Sequence, residues 1–177
     1  MRPGEEFEGS VEATYEPEFD GWSTTLILSG PVTENFGARF VVKRDETDGY
    51  MENTFTGDDE RQAKNTVGRI VLDWRPTDDL DVTLKYETGT SDNTGRQDLV
   101  SVATDFAVSR YQVADPNFKA DFGYDKSARN IGGIRPESQF HDSDWDIIGL
   151  TAELALGEFT IKSITAYVDY EFENYLD

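Results

Sequence analysis

The sequence predicts an all-β protein of about seven antiparallel strands in up-and-down order. Three observations predict it. Apolar residues recur at every second position, which is the period of a strand. No long segment carries the 3.6-residue period of a helix. Turn-forming stretches separate the alternating runs, as successive hairpins require.

Strand one is expected over 5–16, with Phe7, Gly9, Val11, Ala13 and Tyr15 on one face and Glu8, Ser10, Glu12, Thr14 and Glu16 on the other. Strand two is expected over 22–32, where Trp22, Thr24, Leu26 and Leu28 share a face. In strand three, 36–45, Ala38, Phe40 and Val42 oppose Arg39, Val41 and Lys43. In strand four, 65–75, Gly68, Ile70, Leu72 and Trp74 oppose Val67, Arg69, Val71 and Asp73. Strand five, 80–91, alternates most cleanly: Leu80, Val82, Leu84 and Tyr86 against Asp81, Thr83, Lys85 and Glu87. Strand six, 144–156, aligns Ile148, Leu150, Ala152, Leu154 and Leu156. Strand seven, 159–173, sets Ile164, Ala166, Val168, Tyr170 and Phe172 against Thr165, Tyr167, Asp169 and Glu171.

One register follows from charge. Keeping the apolar faces of strands four and five together allows only alternate registers. One of them sets Asp73 against Asp81 and Arg69 against Lys85, and like charges directly opposite destabilise a sheet. The neighbouring register pairs Asp73 with Thr83, Val71 with Lys85 and Arg69 with Glu87, and is the one expected, with Thr77-Asp78-Asp79 as the turn.

The connections differ in length. Those near 33–35, at 76–79 and at Gly157-Glu158 are short, whereas 46–64 and 92–142 are long, polar and rich in Gly. The connection near 17–21 is short and breaks the contrast. Alternate connections lie at opposite ends of an up-and-down sheet, so one end has tight turns and the other mostly long loops. Outer-membrane barrels have that asymmetry. Within 92–142, FAVSRYQV (106–113) is a candidate short internal element.

Three further features point to lipid rather than to a soluble sandwich. Strands four to seven reach the ~9–11 residues that cross a bilayer. Trp22, Trp74, Trp145 and Tyr15 stand near strand ends, like the aromatic girdles of membrane barrels. Trp145 has the wrong parity for the apolar face of strand six, so either a bulge intervenes or its ring points inward. The opposite faces are too polar for a packed core and suit a lumen. The expected fold is therefore antiparallel up-and-down strands of a transmembrane β-barrel, about seven of them, short of a closed barrel.

Composition narrows the function. Thirty-six acids against 16 bases leave a net charge of −20, which repels phosphate backbones and argues against nucleic acid. With no Cys and a single histidine, His141, thiol catalysis, disulfides and Cys- or His-cluster metal sites are excluded. Carboxylate pairs such as Asp58-Asp59 and Asp78-Asp79 sit in turns, and TGDDE (56–60) does not match a known calcium loop. No catalytic residue, metal ligand or cofactor is expected, the chain is not read as an enzyme, and no ligand-contacting residue is assigned. No run approaches the ~20 apolar residues of a membrane helix. Residues 1–10, MRPGEEFEGS, lack the apolar core of a signal peptide. A cytoplasmic chain and one whose N-terminus lies further upstream are the two alternatives this leaves.

Two segments, LSGPVTENFGARFVVKRDETDGYMEN (28–53) and GRIVLDWRPTDDLDVTLKYETGTSDNTG (68–95), resemble early barrel strands of TonB-dependent receptors. The matching features are Ser29-Gly30-Pro31 leading into Ala38-Arg39, Asp48-Gly49-Tyr50 opening an outer loop, and Trp74 to Thr77 as a turn. FTIKSITAYVDYEFE (159–173) is similar to another strand of the family. The resemblance implies a 22-strand barrel enclosing an N-terminal plug, in the outer membrane of a Gram-negative bacterium. It implies uptake of a scarce solute (siderophore, cobalamin or carbohydrate) powered by the inner-membrane TonB complex acting on the plug. It also implies that Arg39, Lys43, Arg69 and Lys85 face the lumen, where salt bridges to neighbouring acids are their expected role. The chain shows no plug, so residues 1–177 are expected to be a fragment of the barrel domain in contact with outer-membrane lipid. The competing readings are a complete small barrel with a structural or adhesion role, needing an eighth strand within 92–142, and a soluble all-β binding module.

Overall fold

The computed structural model describes residues 3–4, 6–49, 51–52, 59–94, 104–113 and 140–175. Seven long strands form one open antiparallel sheet: β1 (Glu8–Glu16), β2 (Gly21–Thr33), β3 (Phe36–Thr47), β6 (Gln62–Thr77), β7 (Leu80–Thr94), β8 (Phe140–Leu156) and β9 (Phe159–Tyr175). Each pairs with its sequence neighbour, so the expected up-and-down order is the observed one. β4 (Met51–Glu52) and β5 (Asp59–Glu60) make a small hairpin within the connection after β3. The segment read as a possible internal element holds a short helix, α1 (Asp105–Tyr111), capped where the Thr104 hydroxyl accepts from the Ala107 amide at 3.3 Å. Residues 114–139, residues 56–58 of the TGDDE loop and Tyr50 lie outside the described residues.

Most strands run further than the alternation indicates, chiefly toward the long connections. β6 begins at Gln62 rather than 65, and β8 at Phe140 rather than 144. The added residues include Lys64, Asp92, Asn93 and Asp142, poor strand formers individually. Pairing on both sides carries them into the ladder. β1 is the exception, beginning at Glu8 rather than 5, where the Gly4 amide turns instead to the Ser29 hydroxyl at 3.2 Å.

The three connections at the short end are two-residue turns: Glu34-Asn35, Asp78-Asp79 and Gly157-Glu158. Gly157 has φ +63, a left-handed conformation for which glycine is best suited. Turn and neighbouring strand continue the ladder there. The Asn35 carbonyl accepts from the Arg75 amide, and the Asp79 carbonyl from the Ala155 amide, both at 2.8 Å.

The register between β6 and β7 is the one selected by charge: Asp73 faces Thr83, Val71 faces Lys85 and Arg69 faces Glu87. The turn itself is a correction. Thr77 pairs with Leu80, and the extra residue is absorbed by a register shift between Trp74 and Thr77, where Pro76 has no amide to donate.

Candidate functional site

The register sorts the side chains onto two faces. On one lie Trp22, Leu26 and Leu28 of β2, Phe36, Ala38, Phe40 and Val42 of β3, and Ile70, Leu72 and Trp74 of β6. Leu80, Val82, Leu84 and Tyr86 of β7 continue it, followed by Ile148, Leu150 and Leu154 of β8. The other face holds Arg39, Lys43, Arg69 and Lys85 together. Arg69 and Lys85 both reach Glu87, at 2.6 and 3.0 Å, and Lys43 reaches Asp45 at 3.2 Å. Nearer the short turns, Asp73 accepts from the Thr83 hydroxyl at 2.8 Å and lies 3.9 Å from Arg75.

Burial is inverted relative to a water-soluble protein. On the charged face Val71 and Asp73 are each 7% exposed, whereas Ile148 and Leu150 on the apolar face are 45% and 44% exposed. No other described element packs broadly across either face. At the short-turn end of the charged face Pro3 and Gly4 lie beside Gly37 and Asp73, and the Gly4 amide donates to the buried Ser29 hydroxyl.

The apolar face forms a diagonal belt. The register joins Gly9, Leu28, Phe40, Ile70, Tyr86, Ile148 and Tyr167 in one row across all seven strands. Toward the long-connection end, β1 and β2 stay uncharged on this face as far as the Tyr15–Trp22 pair. On β8 and β9 the acids Asp146 and Asp169 follow that row at once. Toward the short turns the order reverses: β1 has Phe7 just past the row, while β9 stays uncharged down to Phe159. Both limits drift the same way, by about one residue per strand. With a rise of ~3.3 Å and a strand spacing of ~4.8 Å, the strands incline by roughly 35° to the normal of the belt.

Rings mark both borders. Tyr15, Trp22, Tyr86 and Tyr167 stand at one, and Phe7, Phe36, Trp74 and Phe159 at the other. At the first border, Tyr15 donates to Asp20 at 2.7 Å, Tyr86 donates to Asp146 at 2.5 Å, and Arg44 lies 5.6 Å over the Trp22 ring. Beyond it, Asp92, Asp142 and Glu173 face one another across three strands. Burial and then the neighbouring charge of Asp92 push the Asp142 carboxyl above the usual aspartate range, with Glu173 and Asp144 adding to it.

Trp145 pairs with Gly89 without any register shift, so there is no bulge and its ring lies on the charged face. It covers Gly89 so closely that a Cβ there would lie 2.2 Å from ring atom Cζ2. The apolar set of β9 (Ile164, Ala166, Val168, Tyr170 and Phe172) does not join the belt: it pairs with Thr151, Gly149, Ile147, Trp145 and Ser143 and shares the charged face. The belt instead takes Phe159, Ile161 and Tyr167. A two-residue turn at Gly157-Glu158 pairs Leu156 with Phe159, and this parity, legible in the sequence from the length of the turn, puts Phe159 rather than Ile164 on the face of Leu156.

A groove of about 630 Å³ opens at the short-turn end, lined by Pro3, Gly4, the turn residues from Pro31 to Gly37, Asp73 and Arg75. Among the described residues no three carboxylates or imidazoles converge as a metal site. No protein family, curated protein or solved structure matches this chain.

Proposed function

We propose that this chain is part of a transmembrane β-barrel, a section of an outer-membrane receptor of the TonB-dependent kind that takes up a scarce solute. It is a transport protein and not an enzyme. The observation that carries the reading is the diagonal belt: an exposed apolar band with ring-bearing borders, inclined by about the 35–45° at which strands cross membranes in barrels. In water such a band would expose far more apolar surface than a soluble monomer tolerates. In lipid it is the solvated face, and the charged face becomes the lumen wall.

The family assignment rests on the turn motifs. Ser29-Gly30-Pro31, Ala38-Arg39 and the Trp74-to-Thr77 segment fall at strand ends and in the positions around two-residue turns. In this reading the free edges of β1 and β9 pair with other strands of the barrel, because unpaired backbone groups are not tolerated in hydrocarbon. The inner-membrane TonB complex drives uptake through a plug. The small-barrel and soluble-module readings have no observation that favours them over the belt.

The test is fractionation of the source cells. Tryptic peptides of this chain are expected in carbonate-washed outer membranes. Their recovery in the soluble fraction would overturn the proposal.

A further inference from the structure

The charged face is not charged throughout. Where β6 to β9 approach the long connections, three successive rows across four strands carry no formal charge on this face. The rows are Val67, Gly89, Trp145 and Tyr170; then Asn65, Ser91, Ser143 and Phe172; then Ala63, Asn93, His141 and Asn174, and they border Lys43, Asp45 and Thr47 of β3. This occurs in a chain of which 29% is charged. On the opposite face the neighbouring positions of the same strands hold Lys64, Asp92, Asp142, Asp144, Glu171 and Glu173. Solvation alone does not explain that contrast, since both faces lie beyond the apolar belt.

What replaces charge is a specific mixture. Trp145, Tyr170, Phe172 and His141 supply rings, with His141 and Phe172 stacked at 6.3 Å. Tyr170 and Phe172 are 59% and 52% exposed. Amides and hydroxyls lie alongside in a connected network. Ser91 donates to Asn65 at 2.6 Å, Asn93 donates to Ser91 at 2.9 Å, and Ser143 and the Tyr170 hydroxyl share a bond of 3.1 Å; Asn65 anchors the network by donating to the Asp45 carboxylate of β3 at 2.7 Å. Groups of this kind both donate and accept, as hydroxyl-rich ligands require. Ring faces take the apolar C–H faces of a pyranose. A net charge of −20 disfavours an anionic ligand and leaves a neutral one unaffected.

We infer that this charge-free block is a binding wall for a neutral oligosaccharide, held by ring stacking on Tyr170 and Phe172 and by the Asn65–Ser91–Asn93 network. The inference rests on the transport reading and names its solute class.

The test uses the protein extracted in mild detergent from the membranes of the source cell. Neutral hexasaccharides (an α-glucan, a β-glucan and a xylan) and an anionic ferric tricatecholate are titrated by calorimetry. At least one hexasaccharide is expected to bind and the chelate is not. Tyr170→Ala and Phe172→Ala are each expected to weaken saccharide binding about tenfold, a change of one decade in Kd. Should either variant fail to fold, saturation-transfer NMR on the unaltered protein substitutes. Irradiating aromatic protons should then transfer saturation to the sugar ring protons. Binding of the chelate alone, of no probe, or of saccharide equally by folded variants, or an absence of transfer, would overturn the inference. Membrane recovery of the chain is read separately, so this failure is distinguishable from failure of the transport reading.

Discussion

At Gly89 a single missing side chain makes room for an aromatic ring. Because the Trp145 indole occupies the space a Cβ would need, Gly89→Ala must displace either ring or strand. Overpacking of this kind costs about 1–3 kcal/mol, and urea unfolding of the detergent-held protein should show it. Gly157 makes a contrasting case. Nothing lies within 4 Å of the space its Cβ would occupy, but its φ is +63, so Gly157→Ala should cost only the backbone term of about 1 kcal/mol. Asp142 adds a pH dependence. Its folded-state pKa is raised, so ionisation opposes the folded state. Stability should therefore fall as pH rises from the usual aspartate value of about 3.9 through the raised one, and Asp142→Asn should flatten that slope. An unchanged slope in the variant would assign the effect to other groups.

Among the elements, the β6–β7 hairpin shows how much side-chain charge can specify. Five charged positions, Arg69, Asp73, Asp81, Lys85 and Glu87, select the register, and the Arg69–Glu87 pair at 2.6 Å is the result. Cross-strand pairs contribute about 0.2–1 kcal/mol. Arg69→Glu should thus destabilise by an amount in that range, and the swap Arg69→Glu with Glu87→Arg should recover much of it in a double-mutant cycle. The β8–β9 hairpin shows the opposite case. Its two apolar sets looked equivalent strand by strand, but the two-residue turn offsets them by one position. One set lies on the belt and the other on the charged face beside Trp145. Alternation within a strand says which residues share a face. Only the pairing says which face that is.

For the whole molecule, the decisive property is the inverted burial. Leu150 lies on the belt and is well exposed. In a soluble sheet, Leu150→Arg would be neutral or would improve solubility. In a barrel wall near the bilayer midplane it should cost about 2–4 kcal/mol, measured as a shift in the urea midpoint of the lipid-embedded protein. A neutral result in vesicles would count against the membrane reading.

Local chemistry was enough to find seven strands, their order, the tight end and the loose end of the sheet, and the register of one hairpin. Each depends on neighbours in sequence: period-two alternation, turn residues, and charges a few positions apart. Strand ends were underestimated because residues such as Lys64, Asp92, Asn93 and Asp142 enter the ladder only when partners on both sides hold them. The diagonal belt, the charge-free block and the seat of Trp145 on Gly89 were not legible in single strands. They arise from summing small register offsets across six pairings, and an offset of one residue moves every side chain to the other face. The sequence by itself determined which residues alternate and where the chain turns, because these are short-range properties. The tertiary structure alone decided what stands beside what across the sheet, because hydrogen-bond registry accumulates from strand to strand and no segment contains it.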